Sequence, residues 1–317
     1  MSPPPAPHMS PPPAPTGPRR RRVVVTGAGG KTGRAVLRAA RQHGAEPVAV
    51  VRDPRRVDDL RSDAVGACGE AGAVEVAVAD QRDVDRLAEV LAGADAVYAI
   101  APNVSAGEAA MGRAVVAACR RAGVARLVYH SVIHPQLTAM PHHADKGRVE
   151  EVVIESGLDW TLLQPNVYLQ NLDGYLDDLR AGRYRVPYAS DRASAMVDLR
   201  DVAEVAARCL VDDLGVFATF ELSGPEQVTP VDVARVAAEL LGREVVAERL
   251  DPDAWAAANP HLEGEARRRL HAMFAHYDRH GSPGDGTVLT HLLGRPPRDL
   301  RAYLTDRLAP DDRSAGA

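Results

Sequence analysis

The chain has 317 residues, 45% of them hydrophobic and only 4% aromatic, which is enough for one large domain or a domain with a smaller lobe. A net charge of -5 argues against a nucleic-acid partner, and the lack of any apolar run of about 18 residues argues against a membrane span. Three scattered cysteines, Cys68, Cys119 and Cys209, suggest buried small hydrophobes in a reducing, cytoplasmic setting rather than disulfides or metal ligands.

The opening stretch MSPPPAPHMSPPPAPTGP is nearly all proline and small residues, and residues 1–20 are expected to be a disordered tail. The basic run Arg19 to Arg22 reads as a solvated junction, since the apolar stretch after it is too short and glycine-rich for an export signal. RVVVTG (22–27) is a short strand, and residues 31–44 a helix apolar on one face and stopped by Gly44. Strands follow at 46–53, 74–80, 94–102, 124–131 and 159–165, with helices at 84–93, 107–123 and 146–157 between the later ones. Beyond Pro165 the rhythm loosens. Residues 167–182 look helical, 195–212 a short strand running into a helix, 215–224 a strand, 229–242 a helix that Thr229 can cap, and 243–250 a strand. From Trp255 onward the chain reads as mostly helical and polar.

Between the first strand and helix lie Gly27, Gly30 and Gly33, spaced G-x-x-G-x-x-G. Gly27 permits the tight turn, Gly30 lets backbone approach a pyrophosphate, and Gly33 lets the helix sit close to the sheet. The helix amino end, with Lys31 and Thr32 in its first turn, offers free N–H groups to phosphates. The spacing before Lys31-Thr32 is too short for a triphosphate-binding loop. The whole pattern predicts an α/β protein with a Rossmann-type, doubly wound parallel sheet. Its core spans residues 21–165, and residues 166–317 complete the sheet and form a smaller C-terminal α/β lobe on the substrate side.

The end of the second strand reads VVRDPRR. An acidic residue there would take the ribose hydroxyls of NAD, whereas arginine matches a 2'-phosphate. Arg52 therefore favours NADP, with Asp53 on a ribose as the NAD alternative and Arg55 and Arg56 as a solvated helix start. Asp80 either accepts from the adenine amine or caps the next helix. Ala101 lies on the stretch that would pass the nicotinamide ribose.

The chain resembles the NmrA-like family of atypical short-chain dehydrogenase/reductase relatives. The resemblance rests on the glycine turn together with VRDP (51–54), YHSVIHP (129–135), HHADKGRVEEVVIESGLDWTLLQPNVYLQN (142–171), VDLRDVAEVAARCLVD (197–212), ELSGPEQVTPVDVARVAAELLGR (221–243) and LLGRPPRDLRAYLTD from 292. It implies a nucleotide-binding domain, a smaller lobe, and either NADPH-dependent reduction of quinones, dyes or similar compounds or redox sensing with a protein partner. Ordinary relatives carry Tyr and Lys as Y-x-x-x-K, and here the same spacing is His142-x-x-x-Lys146. The resemblance implies that Lys146 touches the nicotinamide ribose or a substrate oxygen. His142 or His143 is a candidate proton donor, since histidine titrates near neutrality, though both are also candidates for plain loop residues. Ser131 is a candidate donor to the substrate. His130 and His134 line the same wall, Pro165, Asn166 and Val167 run beside the nicotinamide, and Tyr168 faces the substrate or the core. Trp255, Met273, Phe274 and Tyr277 are candidate walls of the substrate end. Their spacing also suits a helix–core stripe, which is the reading given to most of them.

The expected function is NADPH-dependent hydride transfer to a quinone, enone or related aromatic or polyketide-like small molecule, with no metal. The alternatives are a non-catalytic NADP(H)-sensing scaffold with a protein partner, and a non-redox isomerase or cyclase. Whether the chain forms a homodimer stays open.

Overall fold

A computed structural model describes residues 19–60, 74–102, 105, 107–260 and 262–309. The tail expected at 1–20 therefore lies outside the described residues except for Arg19 and Arg20, as does Cys68. Seven parallel strands form the central sheet. They are β1 (Arg22–Val25), β2 (Glu46–Val51), β3 (Glu75–Val78), β4 (Ala96–Ala99), β5 (Arg126–His130), β6 (Asp159–Pro165) and β8 (Ala218–Leu222), in the order β3-β2-β1-β4-β5-β6-β8. The order reverses between β1 and β4, and a ligand crevice is expected there, beyond the strands' carboxyl ends.

Both faces of the sheet are covered, so its strands read as continuous apolar runs rather than alternating ones. Val23 and Val25 pack with α1 (Lys31–Gln42) on one face. Val24, between them, packs on the other face with α2 (Val84–Leu91), α3 (Glu108–Ala122) and α4 (Pro141–Ile154). The later chain returns to the first face as α6 (Leu199–Val211), which packs along α1. Asp83 caps α2 by accepting from the Arg86 N–H at 3.0 Å, and Asp198 caps α6. Thr229 caps α7 (Pro230–Leu241) through a reciprocal bond with Asp232, as its place before the helix predicts.

The smaller lobe has its own core, built from Leu172, Leu179, Tyr184, Val233, Tyr303 and their neighbours. It contains α5 (Leu176–Arg180), β7 (Arg183–Val186), α7, β9 (Val246–Arg249), α8 (Pro252–Ala258), α9 (Gly264–His280), and α11 (Leu300–Leu308); α10 (Thr287–Leu293) packs instead against the main sheet. β7 and β9 pair in parallel as a two-stranded sheet. No helix among the described residues is long and apolar enough to cross a membrane.

Several local expectations are corrected. Residues 195–198 make no regular strand, only a bridge from Val197 to Tyr168. Residues 169–175 form a 3-10 helix and only 176–180 are α-helical, consistent with the weak helix formers Asn171, Asp173 and Gly174. β7 is an added strand whose Tyr184 and Val186 face inward while Arg183 and Arg185 do not. The basic run is not simply solvated: Arg19, Arg21 and Arg22 pair with Asp95, Asp213 and Glu75, tying the start of β1 to three separate segments. α4 begins at Pro141 rather than near Lys146, because proline suits the first helical position. Cys119 and Cys209 are buried and unpaired, and burial pushes both thiols up to about 12.

Candidate active site

A cavity of about 1000 Å³ runs from the glycine turn, over the ends of β4, β5 and β6, into the small lobe. At its first end Gly27 has φ +60, and a Cβ there would lie 2.9 Å from Ile100. A Cβ on Gly33 would lie 2.5 Å from the Gly27 carbonyl, so only glycine lets α1 start this close to β1. Gly30 is different: it opens toward the cavity, with nothing nearer than 3.5 Å. Thr26 and Gln81 both donate to the Ile100 carbonyl, at 3.2 and 2.9 Å, and hold the ends of β1 and β3 to the end of β4.

At the end of β2 the two charges separate. Asp53 is clamped by Arg55, whose guanidinium donates to it at 2.8 Å and holds its carboxyl down to about 2. Arg52 points free along the cavity wall, and Arg56 joins it, reaching back to the Gly29 carbonyl at 3.4 Å. Asp80 lines the wall and accepts from the Arg82 N–H at 2.9 Å; it is not the cap of α2.

In the middle of the cavity Lys146 lies 2.6 Å from the buried Glu108 carboxylate and donates to the His130 carbonyl at 3.0 Å. Tyr129 donates to the same Glu108 oxygen at 3.0 Å. Two buried polar atoms on the wall, Ser131 Oγ and His142 Nδ1, have no hydrogen-bond partner among the described residues. The Glu150 carboxyl is near enough to feel the serine but not in bonding geometry with it, and burial raises that carboxyl. Wall atoms left this way are what an oxygen-bearing ligand would satisfy. Burial, with Lys146 and Arg269 adding to it, pushes His142 down to about 4, and burial with His142 beside it pushes His143 to about 3. Both imidazoles are therefore neutral at neutral pH, against the expectation that they titrate there.

His130 is buried between two tyrosines, with the Tyr98 hydroxyl on Nδ1 and the Tyr168 hydroxyl 2.6 Å from Nε2. Lys31 stands 5.6 Å above the Tyr168 ring and donates to Asn171 at 2.6 Å. Pro165, Asn166 and Val167 line the wall, but the Asn166 amide is committed elsewhere. It bonds Ser223 and Ser282. His134 does not line the cavity; it sits in a turn at φ 50 with its carbonyl 3.3 Å from His143 Nδ1. No three His, Cys, Asp or Glu among the described residues gather as metal ligands would.

The far end is aromatic. Trp255 and Phe274 meet edge to face at 4.8 Å, and Tyr188 meets Tyr277 at 5.7 Å. Met273 lines the same wall, so all four side chains expected mostly as core reach the cavity. Seven of the chain's thirteen aromatic residues line this one space.

Residues 19–304 match the model of the NmrA-like family. The chain belongs to the NmrA-like family. It is similar to the NAD(P)H azoreductase of Xenophilus azovorans, 28% identical over 89% of this chain and 96% of that protein. It is 29% identical to the (4-alkanoyl-5-oxo-2,5-dihydrofuran-3-yl)methyl phosphate reductase of Streptomyces griseus over the same shares. Its fold is similar to that of an NADPH-dependent quinone oxidoreductase from Escherichia coli complexed with NADPH, with a TM-score of 0.75 at 24% identity, covering 91% of this chain and 100% of that one.

Within this NmrA-like chain, sequence reasoning missed both partners and walls; Tyr175, Tyr184 and Tyr188 line the cavity but stand in stretches that carry no motif. Glu108, the counter-ion of Lys146, lies 38 positions away and carries no motif. Tyr98 reads as an ordinary strand residue. Arg56 had a signal, its place four residues after Arg52, but that spacing also suits a solvated helix start.

Proposed function

We propose that the protein is an NADPH-dependent reductase whose acceptor is a planar aromatic, quinone-like or enone-like molecule. One observation carries this reading: a single cavity, lined over its length by seven of the chain's thirteen aromatic side chains, joins a dinucleotide-type glycine turn to an aromatic wall. The amino end of α1 would receive the diphosphate, and Arg52 with Arg56 the 2'-phosphate. Arg55 clamps Asp53, which takes that carboxylate away from the bare ribose of NAD. When bound, NADPH supplies the hydride.

Lys146, held on the cavity wall between Glu108 and the His130 carbonyl, would give its ammonium to the ribose or to a substrate oxygen. Ser131 Oγ and His142 Nδ1 are the free polar atoms that can orient an acceptor oxygen. A neutral imidazole is a poor acid, and no tyrosine stands at position 142. Acceptors whose reduced oxygen needs little help from a protein acid suit such a site, and quinones are of this kind. The azoreductase and furanone-type reductase named above are consistent with electron-poor acceptors of similar shape.

The test is anaerobic incubation with NADPH and a panel of quinones, azo dyes and enones, followed at the nicotinamide absorbance band. Consumption with at least one planar acceptor is expected. No consumption above background with any of them would count decisively against the reading.

A further inference from the structure

Tyr98 is completely buried in β4, among Val25, Val128, Leu163 and Cys209. Its hydroxyl has one hydrogen-bond partner among the described residues, Nδ1 of His130. The other ring nitrogen of His130 faces the Tyr168 hydroxyl at 2.6 Å. Three groups thus share two hydrogen bonds, and the protons can be arranged in two ways.

In one arrangement Tyr168 donates to Nε2 and the Nδ1–H donates to Tyr98, leaving the Tyr98 proton with no acceptor in an apolar core. In the other, Tyr98 donates to Nδ1, the imidazole carries its proton on Nε2, and that proton goes to the Tyr168 oxygen. The second satisfies every buried donor, and an unsatisfied buried donor is costly. Burial, reinforced by Lys146, keeps His130 neutral, so it has one N–H to give. Tyr168 is then an acceptor on its inner side, and its own proton must point outward. Outward lie the Thr32 hydroxyl, itself a hydrogen-bond partner of Tyr168 and able to donate or accept, and Lys31, both at the first turn of α1 on the cavity wall.

We propose that Tyr98 sets the tautomer of His130 and so makes Tyr168 a fixed hydrogen-bond donor to the diphosphate of the bound dinucleotide. Tyr168 touches the ligand; Tyr98 and His130 are positioning residues. The acceptor follows from the neighbours, since the amino end of a helix and an ammonium favour an anionic oxygen. Burial raises the Tyr168 hydroxyl well above its ordinary range, which suits a group that donates a hydrogen bond and keeps its proton. The choice of acceptor rests on the reading of the cavity as a dinucleotide site; the tautomer does not.

Nitrogen-15 NMR of histidine-labelled full-length protein reads the tautomer directly. With no ligand present, His130 is expected protonated on Nε2 and bare on Nδ1. The Tyr98→Phe variant is expected to show both tautomers. A wild-type ring protonated on Nδ1, or a Tyr98→Phe ring still held in one form, overturns the role of Tyr98. Binding by calorimetry tests the acceptor. Tyr168→Phe is expected to lose about tenfold in affinity, equally for NADPH and for 2'-phospho-ADP-ribose, and to bind adenosine 2'-monophosphate, which carries neither phosphate of the diphosphate, as the wild type does. A loss confined to NADPH places the contact on the nicotinamide side and overturns the proposal, as does no loss at all. A folded wild-type chain that binds no dinucleotide overturns the cavity reading and the diphosphate contact with it, while the NMR result stands separately.

Discussion

The Lys146 ammonium lies 2.6 Å from a Glu108 carboxylate oxygen that is almost wholly buried. The pair joins α4 to the start of α3 at the middle of the cavity. Lys146 therefore has a structural partner as well as a candidate part in turnover, and the two can be separated. Lys146→Met leaves a buried carboxylate without its cation and should cost about 3 kcal/mol of stability. Adding Glu108→Gln should recover much of that loss in urea unfolding, while NADPH oxidation stays low. Recovery of turnover in the double variant would mean that the lysine serves the fold alone.

Arg52 and Arg56 line the same corner of the cavity, and Arg55 is occupied by Asp53. Removing either guanidinium should cost one charge-assisted contact to a 2'-phosphate, about tenfold in NADPH affinity. NADH affinity should stay nearly unchanged. Fluorescence titration of Arg52→Ala and Arg56→Ala with both nucleotides checks this, and equal losses for NADPH and NADH would remove these arginines from the phosphate site.

The buried imidazoles make stability fall in acid. His142 and His143 are pushed down to about 4 and about 3, below the ordinary value of 6.5 that the unfolded chain retains. Between those limits the unfolded state binds more protons, so stability rises with pH through this window and is lost as pH falls. Each imidazole should cost about 2 kcal/mol between pH 7 and pH 5. Urea titrations at the two pH values read the loss, and His143→Gln should shrink it. If turnover used either ring as an acid of ordinary pKa, its pH profile would bend near neutrality; a profile without that bend is expected.

The aromatic end should govern the acceptor and not the nucleotide. Trp255→Ala opens the wall opposite Phe274, 4.8 Å away between ring centres. A rise in KM of about tenfold is expected for flat acceptors, from the lost ring contact and buried area. NADPH affinity measured without acceptor should not change.

Arg126 is buried at the start of β5 and donates to the Cys209, Asp159 and Leu214 carbonyls and to Thr161. These bonds tie the main sheet to the far end of α6. Arg126→Met strips several buried acceptors at once and should lower unfolding stability by about 3 kcal/mol, measured by chemical denaturation, with nucleotide affinity intact.

Much of the fold was legible in the chain because its signals are local. The apolar runs from Val23 to Val25 and from Leu127 to Tyr129 sit in strands covered on both faces, and Gly27 and Gly33 announce a turn that backbone sterics alone demand. Where signals are weak, the reading slipped: residues 195–197 are a short apolar run like a buried strand but make only one bridge, and β7 is four residues long with two arginines. The helix start at Pro141 was hidden because histidines beside a proline suit a loop equally well.

The sequence by itself determined the alternating α/β order, the glycine turn and the set of residues that end the strands, since each depends on neighbours a few positions away. Only the tertiary structure decided what those residues do. Glu108 meets Lys146, Arg55 takes Asp53 out of play while Arg56 does not, Asn166 turns inward, and Tyr98 stands behind His130. The physical reason is that charge, tautomer and burial belong to partners brought together across tens of residues, and no periodicity in the chain records which partner will arrive.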